Sequence, residues 1–333
     1  MRTTPRLSRR TLIVFAAALC TLECSSTTDF TPPGDGTTHP VGDIADTALL
    51  AGAPHGIAIA DDGTMLIARL DSGDVVVGRD SDFALGAKIP VGAHPIDVAI
   101  TPDGRTGFAA IISSPHVAII DVASRTKTGD LTVAESPLRV LLSPDGKHLY
   151  VTTSGADGDT TSTVYDFDAQ THSLIDTTVI GAFGNGIALD APRHHLFVSA
   201  SQYVYEINTI SHVLLRRIWV GGPLQDVAVK QDGSELWVAT ETDAGVQVFD
   251  LPTGTHIQSI EGTENALGLK ITPDGREFYV ARNIGGILSI VNGGTRQVLK
   301  WVAPGLGPLR IAFNKSGSRA VVTDDATGAV LIR

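Results

Sequence analysis

The chain has 333 residues, of which 43% are hydrophobic and only 18% are charged, so it contains enough apolar material for a substantial core. Its formal net charge of −11 disfavours binding to phosphate backbones, and we expect no nucleic acid among its partners. Its two cysteines are Cys20 and Cys24, so the rest of the chain has neither a disulfide framework nor a cysteine-based metal site.

The first segment, residues 1–24, has the features of an export signal. Arginines precede an apolar run at residues 12–19, which is the order of a charged region and a hydrophobic region in secretory signals. The run is too short to span a bilayer. The pair Arg9-Arg10 leaves general secretory and twin-arginine export both open. We therefore expect an exported protein of the periplasm or cell envelope.

The segment after the signal resembles the start of a bacterial lipoprotein. Cys24 is followed by two serines and a tether rich in Thr, Pro and Gly, residues 25–40, which lacks apolar periodicity and is predicted to be disordered. Glu23 stands where lipoproteins carry a small residue, so a cleaved signal without lipidation remains the alternative. Contact with a membrane is expected only through an acyl anchor at Cys24.

A repeat of about forty residues occupies the rest of the chain. Six copies share a tight turn ending in glycine, at Asp62-Gly63, Asp103-Gly104, Asp145-Gly146, Asp232-Gly233, Asp274-Gly275 and Ser316-Gly317. Pro192-Arg193 fills the remaining place, because the apolar residues on either side of it match the other copies. The turns lie 40 to 47 residues apart, so the unit occurs seven times.

Each unit contains four short strands, as its second copy shows. Residues 96–100 form an apolar strand, and Pro102-Asp103-Gly104 is a hairpin turn that accepts a positive φ. Two further apolar strands and a more polar fourth strand follow. Such a sheet has two apolar faces, which a ring of seven sheets buries. The sequence therefore predicts an all-β, seven-bladed β-propeller with four-stranded antiparallel blades.

The chain ends predict how the ring closes. The last unit stops after three strands, at residues 330–333, whereas residues 44–52 resemble the fourth strands of other units. We expect residues 44–52 to complete the last blade beside the C-terminal strand. The propeller is thus predicted to span residues 41–333, and we expect a monomer.

The repeat resembles that of the YVTN-repeat β-propellers, the YncE-like proteins. Residues 137–151 (PLRVLLSPDGKHLYV) follow the family's unit closely, as do residues 94–104 and 271–280. The resemblance covers about residues 44–333 and implies the propeller fold. It also implies an exported protein with a binding or surface role, and it supplies no catalytic motif to transfer.

Candidate ligand-binding residues lie at the channel mouth, which we define as the ring of positions opening the seven first strands (56, 97, 139, 186, 226, 268 and 310). Loops from all blades converge there. The predicted ligand-binding residues are His55, Asp97, Arg139, Asn185, Asp226 and Arg310. The simpler and favoured explanation of the ring is a structural column in which Asp97 and Arg139 form an ion pair between blades and the rest face water.

Catalytic and metal-binding candidates are fewer. His55 and His94 precede first strands, where an imidazole could act as a general base. Oxygen ligands for a divalent cation such as calcium would come from Asp157, Asp159, Asp324 and Asp325, but no complete calcium-loop spacing accompanies them. A solvated acidic rim is therefore the favoured explanation of these four residues, and we expect no cofactor, with a divalent cation as the alternative.

These observations leave three functions open. The leading hypothesis is a non-enzymatic exported binding or scaffold propeller that engages a small polar ligand or a partner protein at the mouth face. The alternative is a lactonase-like or lyase-like enzyme acting on a small cyclic ester, with His55 or His94 beside Asp97 or Asp226. A third is a subunit of a redox or cell-surface complex.

Overall fold

The computed structural model of the protein describes residues 42–155 and 160–332. The predicted signal and tether, Cys24, Asp157 and Asp159 lie outside the described residues. The described part of the chain forms 28 strands in seven four-stranded sheets. Sequential strands in every sheet pair antiparallel. The predicted seven-bladed β-propeller is confirmed.

The strands occupy equivalent positions in each blade. The first strands, nearest the axis, are β2 (Pro54–Ile59), β6 (Pro95–Ile100), β10 (Pro137–Leu142), β14 (Gly184–Asp190), β18 (Leu224–Val229), β22 (Ala266–Ile271) and β26 (Pro308–Phe313). The second strands are β3 (Thr64–Arg69), β7 (Thr106–Ile111), β11 (His148–Thr153), β15 (His195–Ala200), β19 (Glu235–Thr240), β23 (Glu277–Arg282) and β27 (Ala320–Asp324). The third strands are β4 (Asp74–Arg79), β8 (His116–Asp121), β12 (Thr161–Asp168), β16 (Tyr203–Asn208), β20 (Val246–Asp250), β24 (Ile287–Asn292) and β28 (Gly328–Ile332). The outer strands are β5 (Leu85–Pro90), β9 (Thr126–Thr132), β13 (Leu174–Gly181), β17 (Leu214–Trp219), β21 (Thr255–Ile260), β25 (Val298–Val302) and β1 (Ile44–Leu49).

The turn between first and second strands is where the repeat was recognised. Its glycine adopts a positive φ in six blades, as Gly104 does at 72°. Blade 4, formed by β14–β17, has instead a 3₁₀ turn at Ala191–Arg193 and reaches the left-handed region at His194, with φ 58°. This turn explains why the blade lacks the Asp-Gly pair. No helix among the described residues is long and apolar enough to cross a membrane.

The ring closes as predicted, in blade 7, which consists of β26, β27, β28 and β1. β1 pairs antiparallel with β28, and Thr47 faces Val330 in the ladder. The strand ends at Leu49, earlier than the predicted boundary at residue 52. Leu50 leaves the ladder and is buried in the apolar cluster between blades 7 and 1. The N-terminal segment therefore contributes both main-chain hydrogen bonds and core packing.

The core is divided among the blade interfaces. Seven apolar clusters each combine side chains from two neighbouring blades. Between blade 5 (β18–β21) and blade 6 (β22–β25), the rings of Trp237 and Phe278 are stacked with centroids 3.7 Å apart, and both are fully buried. Face-to-face stacking thus buries both faces of each blade and fixes the spacing of the first strands around the axis.

Candidate functional site

A cavity of about 240 Å³ lies on the propeller axis. Residues from the first strands of all seven blades line it. Its charged lining residues come from five of these strands: Asp97, Arg139, Asp226, Lys270 and Arg310. The structure therefore brings four of the predicted ligand-binding residues into one cavity, together with a lysine that the sequence analysis did not select.

The local backbone explains why these side chains reach the axis. The third residue of each first strand occupies the ring position, and a register irregularity of the ladder falls between the first and third or fourth residues of every first strand. In β6 this irregularity lies between Pro95 and Asp97. Bulges of this kind re-aim side chains and are common beside functional sites.

Glycines at three ring positions allow neighbouring first strands to approach closely. A Cβ atom on Gly56 would lie 2.4 Å from the Cα of Asp97, and one on Gly186 would lie 2.5 Å from the Cα of Asp226. Real side chains do not tolerate such contacts, so both positions require glycine. Gly56 and Gly186 thus lie against the ring aspartate of the next blade, whereas a Cβ atom on Gly268 would lie 2.2 Å from the Leu309 carbonyl oxygen.

The two aspartates connect adjacent blades. Asp97 Oδ2 accepts a hydrogen bond from the Val140 backbone N–H at 3.1 Å, and Asp226 Oδ2 accepts one from the Leu269 N–H at 3.1 Å. Burial raises the pKa of both carboxyl groups above the ordinary value for aspartate, and the positive charge of Arg139 partly opposes the rise. Both carboxylates therefore act as acceptors for the main chain of the next blade.

Arg139 is hydrogen-bonded to Asn185 at the channel mouth and not to Asp97. Its Nε donates to the Asn185 carbonyl oxygen at 2.9 Å, and its Nη2 donates to Asn185 Oδ1 at 3.3 Å. The Asn185 amide then donates to Gln225 Oε1 at 2.7 Å, and the Gln225 amide donates to Glu241 Oε2 at 2.8 Å. The predicted Asp97–Arg139 ion pair is thus replaced by a polar chain across three blades, while Arg139 still acts on Asp97 through its charge.

Two other cations reach the cavity. Arg310 Nη1 donates to the Leu267 carbonyl oxygen at 2.6 Å, whereas its buried Nε has no hydrogen-bond partner among the described residues. Lys270 is exposed within the cavity lining. The sequence signal for Lys270 was available, because it lies two residues after ring position 268 and strand side chains alternate. Its equivalents that line the cavity are apolar: Ala58, Ala99, Leu141 and Ala312.

His55 and His94 have different surroundings. The His55 ring is hydrogen-bonded to the backbone of Ile96, and its Nδ1 is buried without a partner in the part of the chain described here. Burial, assisted by the charge of Arg139, lowers the pKa of His55 to about 4. His94 has a left-handed backbone with φ 59°, and its carbonyl oxygen accepts the Ile112 N–H at 3.1 Å. Neither histidine is hydrogen-bonded to Asp97 or Asp226 within the described residues.

The acidic candidates for a metal site do not converge with other ligands. Asp324 is fully buried and accepts backbone N–H bonds from Gly307, Ala326 and Thr327 at 2.7 to 3.0 Å. Burial, with the nearby Asp324 charge, raises the pKa of Asp325. No group of three or more His, Cys, Asp or Glu side chains within residues 42–155 and 160–332 is placed to hold a metal ion. Asp324 therefore has a structural role in its loop.

A second polar group, which we call the histidine–aspartate cluster (His148, Asp166, Asp176 and His212), lies between blades 3 and 4. Blade 3 consists of β10–β13. Asp166 is almost fully buried, and its carboxylate bonds His148 Nδ1 at 3.0 Å and His212 Nε2 at 2.9 Å. Its members are up to 64 residues apart and lie on two blades, so no local sequence signal indicates the cluster.

Comparisons with known proteins agree with this architecture. No family model matches the chain. A stretch of 144 residues, 42% of this chain, is 31% identical to the seven-bladed beta-propeller protein Rv1057 of Mycobacterium tuberculosis, and this match spans 36% of that relative's length. A chain of the hydrazine synthase of Kuenenia stuttgartiensis is similar in fold alone, with a TM-score of 0.76, 17% identity, and coverage of 90% of this chain and 99% of that chain. This protein is a seven-bladed β-propeller with a charged cavity on its axis.

Proposed function

We propose that the protein is an exported, non-enzymatic binding or scaffold propeller that engages a small polar ligand or a partner protein at the channel mouth. The observation that carries this proposal is the convergence of charged side chains from five blades on one cavity of about 240 Å³. A concave site with a few convergent polar groups and perturbed pKa values is the usual form of a ligand site. The polar chain from Arg139 to Glu241 provides a prearranged rim beside it.

We also propose that the chain is a YVTN-repeat, YncE-like propeller. The repeat units at residues 94–104, 137–151 and 271–280 support this assignment. The similarity to a seven-bladed relative supports the fold that the assignment implies. Members of such a family would share the scaffold while differing in ligand, because function depends on the side chains placed at the mouth.

The alternative, hydrolysis or elimination of a small cyclic ester, has narrower support. His55 is its candidate base, but a pKa lowered to about 4 makes the imidazole a weak base, because a general base works best with a pKa near the operating pH. A base also needs an orienting partner, and the His55 ring is bonded to the Ile96 backbone instead of to an aspartate. Binding without catalysis is therefore the better-supported function.

A thermal-shift screen of the purified full chain against small polar metabolites, lactones and divalent cations tests this proposal. Binding to the native state raises the apparent melting temperature. The double variant Asp226→Asn/Arg310→Gln alters the cavity, and Lys88→Met, in the outer strand β5, is the control. We expect a ligand that stabilises the wild type and Lys88→Met but not the cavity variant. Equal stabilisation of all three would place the site elsewhere, and turnover of a lactone would favour the enzyme.

Export and anchoring form a separate proposal. The charged and apolar segments of residues 1–24 support export, and Cys24 followed by two serines supports an acyl anchor. Cell fractionation of the wild type and Cys24→Ser tests both features. We expect the wild type in the envelope membrane fraction and Cys24→Ser released into the soluble exported fraction. Retention of both proteins in the cytoplasm would overturn export, and equal release of both would overturn lipidation.

A further inference from the structure

The charge of the axial cavity has the opposite sign to that of the whole chain. The chain carries a formal net charge of −11. The cavity is lined by two acidic residues, Asp97 and Asp226, and by three basic residues, Arg139, Lys270 and Arg310. With every group ionised, the lining therefore has an excess of one positive charge. This local reversal favours an anion in a protein that otherwise repels anions.

The hydrogen-bond donors that remain unpaired in the lining also belong to positively charged side chains. Asp97 and Asp226 already accept main-chain bonds from the next blade. By contrast, Arg310 Nε is buried without a partner in the described residues. Lys270 is exposed within the cavity lining, where its charge acts on Asp97 and Asp226 without a hydrogen bond to either in the same part of the chain. The lining donors without a protein partner among these residues are thus on Lys270 and Arg310.

The cavity is polar towards one end and apolar towards the other. The charged ring residues occupy the third position of their first strands and Lys270 the fifth position of β22, whereas the sixth position is apolar in four of the strands that line the cavity. These sixth residues are Ile59, Ile100, Leu142 and Phe313. Because the first strands run alongside the axis, a ligand with a charged head at Arg310 and Lys270 would direct an apolar tail towards Phe313. The volume of about 240 Å³ lies below the roughly 300–1,000 Å³ of sites for drug-sized ligands.

We propose that the axial cavity binds a small monocarboxylate with a short aliphatic chain, whose carboxylate is held by Lys270 and Arg310. This inference rests on the proposed ligand-binding function and specifies the ligand class for the same site. An anionic head group suits a lining in which three basic side chains outnumber two acidic ones. A short aliphatic tail matches the apolar walls that follow the charged ring.

Isothermal titration of the purified full chain with three molecules of one shape tests the ligand class. Hexanoate, hexanamide and hexylamine share an aliphatic tail and carry negative, neutral and positive heads at neutral pH. We expect saturable binding of hexanoate, at least about tenfold weaker binding of hexanamide, and no binding of hexylamine. Raising the salt concentration should weaken the binding of hexanoate more than that of hexanamide, because screening acts on charge.

Variants then locate the binding. Lys270→Met and Arg310→Gln remove the two charged donors while keeping side chains of similar length, and each should weaken hexanoate binding at least about tenfold. The control Lys88→Met removes a positive charge from the outer strand β5 and should bind hexanoate like the wild type. Circular dichroism and melting temperature show whether each variant remains folded. Unchanged hexanoate binding in folded Lys270→Met and Arg310→Gln would overturn the assignment.

The test separates the ligand class from the binding function. If hexylamine or hexanamide binds better than hexanoate and the cavity variants alter that binding, the cavity remains the ligand site but the carboxylate proposal is wrong. If none of the three binds, the carboxylate proposal also falls, and the wider thermal-shift screen alone decides whether the cavity binds any ligand. If hexanoate binds and the three variants behave as described, both proposals are supported.

Discussion

The carboxylate of Asp97 accepts a hydrogen bond from the backbone N–H of Val140 at 3.1 Å, so a side chain of one blade satisfies a main-chain donor of the next. Asp226 and Leu269 repeat this relationship between blades 5 and 6 with the same distance. The ring positions thus combine two tasks: Asp97 and Asp226 join blades, whereas Arg310, together with Lys270 on β22, keeps donors without a partner among the described residues in the cavity lining. The two aspartates therefore have a structural role, as does Arg139 through its bonds to Asn185, and Lys270 and Arg310 are the charged residues left for a ligand.

Replacing Asp97 tests its role as a main-chain acceptor. Asp97→Ala leaves the buried Val140 N–H unsatisfied and should lower the free energy of unfolding by about 1–3 kcal/mol. Asp97→Asn keeps an acceptor oxygen and should cost clearly less at neutral pH. Urea denaturation measures both values, with Asp71→Asn, in an exposed loop, as the control. Equal losses of unfolding free energy in Asp97→Asn and Asp97→Ala would show that the acceptor oxygen does not contribute to stability.

The pH dependence of the same variants has a defined sign. Burial raises the pKa of Asp97, so the folded protein favours the neutral carboxyl group. The stability associated with this group is present below the unfolded pKa and is lost as pH rises through the folded pKa. Wild-type stability relative to Asp97→Asn should therefore decrease as pH rises from about 4. A difference that grows with pH would contradict the raised pKa.

Ring closure depends on a glycine that faces the N-terminal strand. Gly328 has φ 134°, and a Cβ atom there would lie 2.2 Å from the Ala48 carbonyl oxygen. Gly328→Ala should therefore displace β1 from β28 and cost about 1–3 kcal/mol. Gly129→Ala, in the outer strand β9, is the matched control because its Cβ would meet only a side-chain atom at 3.6 Å.

Truncations provide the second measurement of closure. Deletion of residues 42–49 removes β1 and its pairing with β28, so it should lower the melting temperature far more than deletion of residues 25–40. Equal melting temperatures of the two truncated chains would mean that β1 does not stabilise the ring. Similar effects of Gly328→Ala and Gly129→Ala would contradict closure through this contact.

The fold could be predicted because its signal is local and repeated. Each Asp-Gly turn marks a hairpin whose geometry depends on a few neighbouring residues, and the spacing gives the number of blades. Even blade 4, which lacks the pair, was placed correctly, because the strands around Pro192 follow the repeat. The end of β1 was harder to place, since Leu50 leaves the ladder for the core without any change in residue type.

The site could be predicted only in outline. The repeat aligned Asp97, Asp226 and Arg310 in one ring, and the structure places all three in the axial cavity. Lys270 does not occupy a ring position, so predicting it also requires alignment of the residues two positions later in each first strand. The partner of Arg139 depended on side-chain orientation across blades, which one sequence does not encode locally, and Asn185 takes the place expected for Asp97.

His55 gives a pH-dependent prediction. Its pKa is lowered to about 4, mainly by burial, from an ordinary value of about 6.5. A histidine with a lowered folded pKa contributes stability that is fully present above the unfolded pKa and is lost as pH falls through the folded value. Wild-type stability should therefore decrease between about pH 6.5 and 4, by at most roughly 3 kcal/mol from this group.

The variant His55→Phe isolates that contribution. Phenylalanine fills a similar volume and does not titrate, so the free energy of unfolding should fall less steeply with decreasing pH than in the wild type. His94→Asn is the control, because asparagine tolerates the left-handed backbone at that position. Denaturation curves at a series of pH values measure the slopes. Identical slopes in the wild type and His55→Phe would mean that His55 titrates normally.

The histidine–aspartate cluster predicts strong coupling between blades 3 and 4. Asp166 is on β12 of blade 3, whereas His212 lies in the turn between β16 and β17 of blade 4, and their side chains bond at 2.9 Å. Asp166→Ala removes the acceptor for two imidazoles and should lower the free energy of unfolding by about 2–3 kcal/mol. Asp176→Asn should change it by less than about 0.5 kcal/mol, because Asp176 is exposed and lies 3.4 Å from His212.

A double-mutant cycle separates this coupling from simple loss of packing. The combined effect of Asp166→Ala and His212→Ala should be smaller than the sum of the single effects, by about 0.5–3 kcal/mol, because each variant already breaks the same bond. His148 and His212 do not bond each other; each bonds Asp166, so the cycle uses Asp166 and His212, which are in direct contact. Additivity of Asp166→Ala and His212→Ala would mean that the apolar cluster around Tyr150 and Leu196 holds the two blades together without the polar bond.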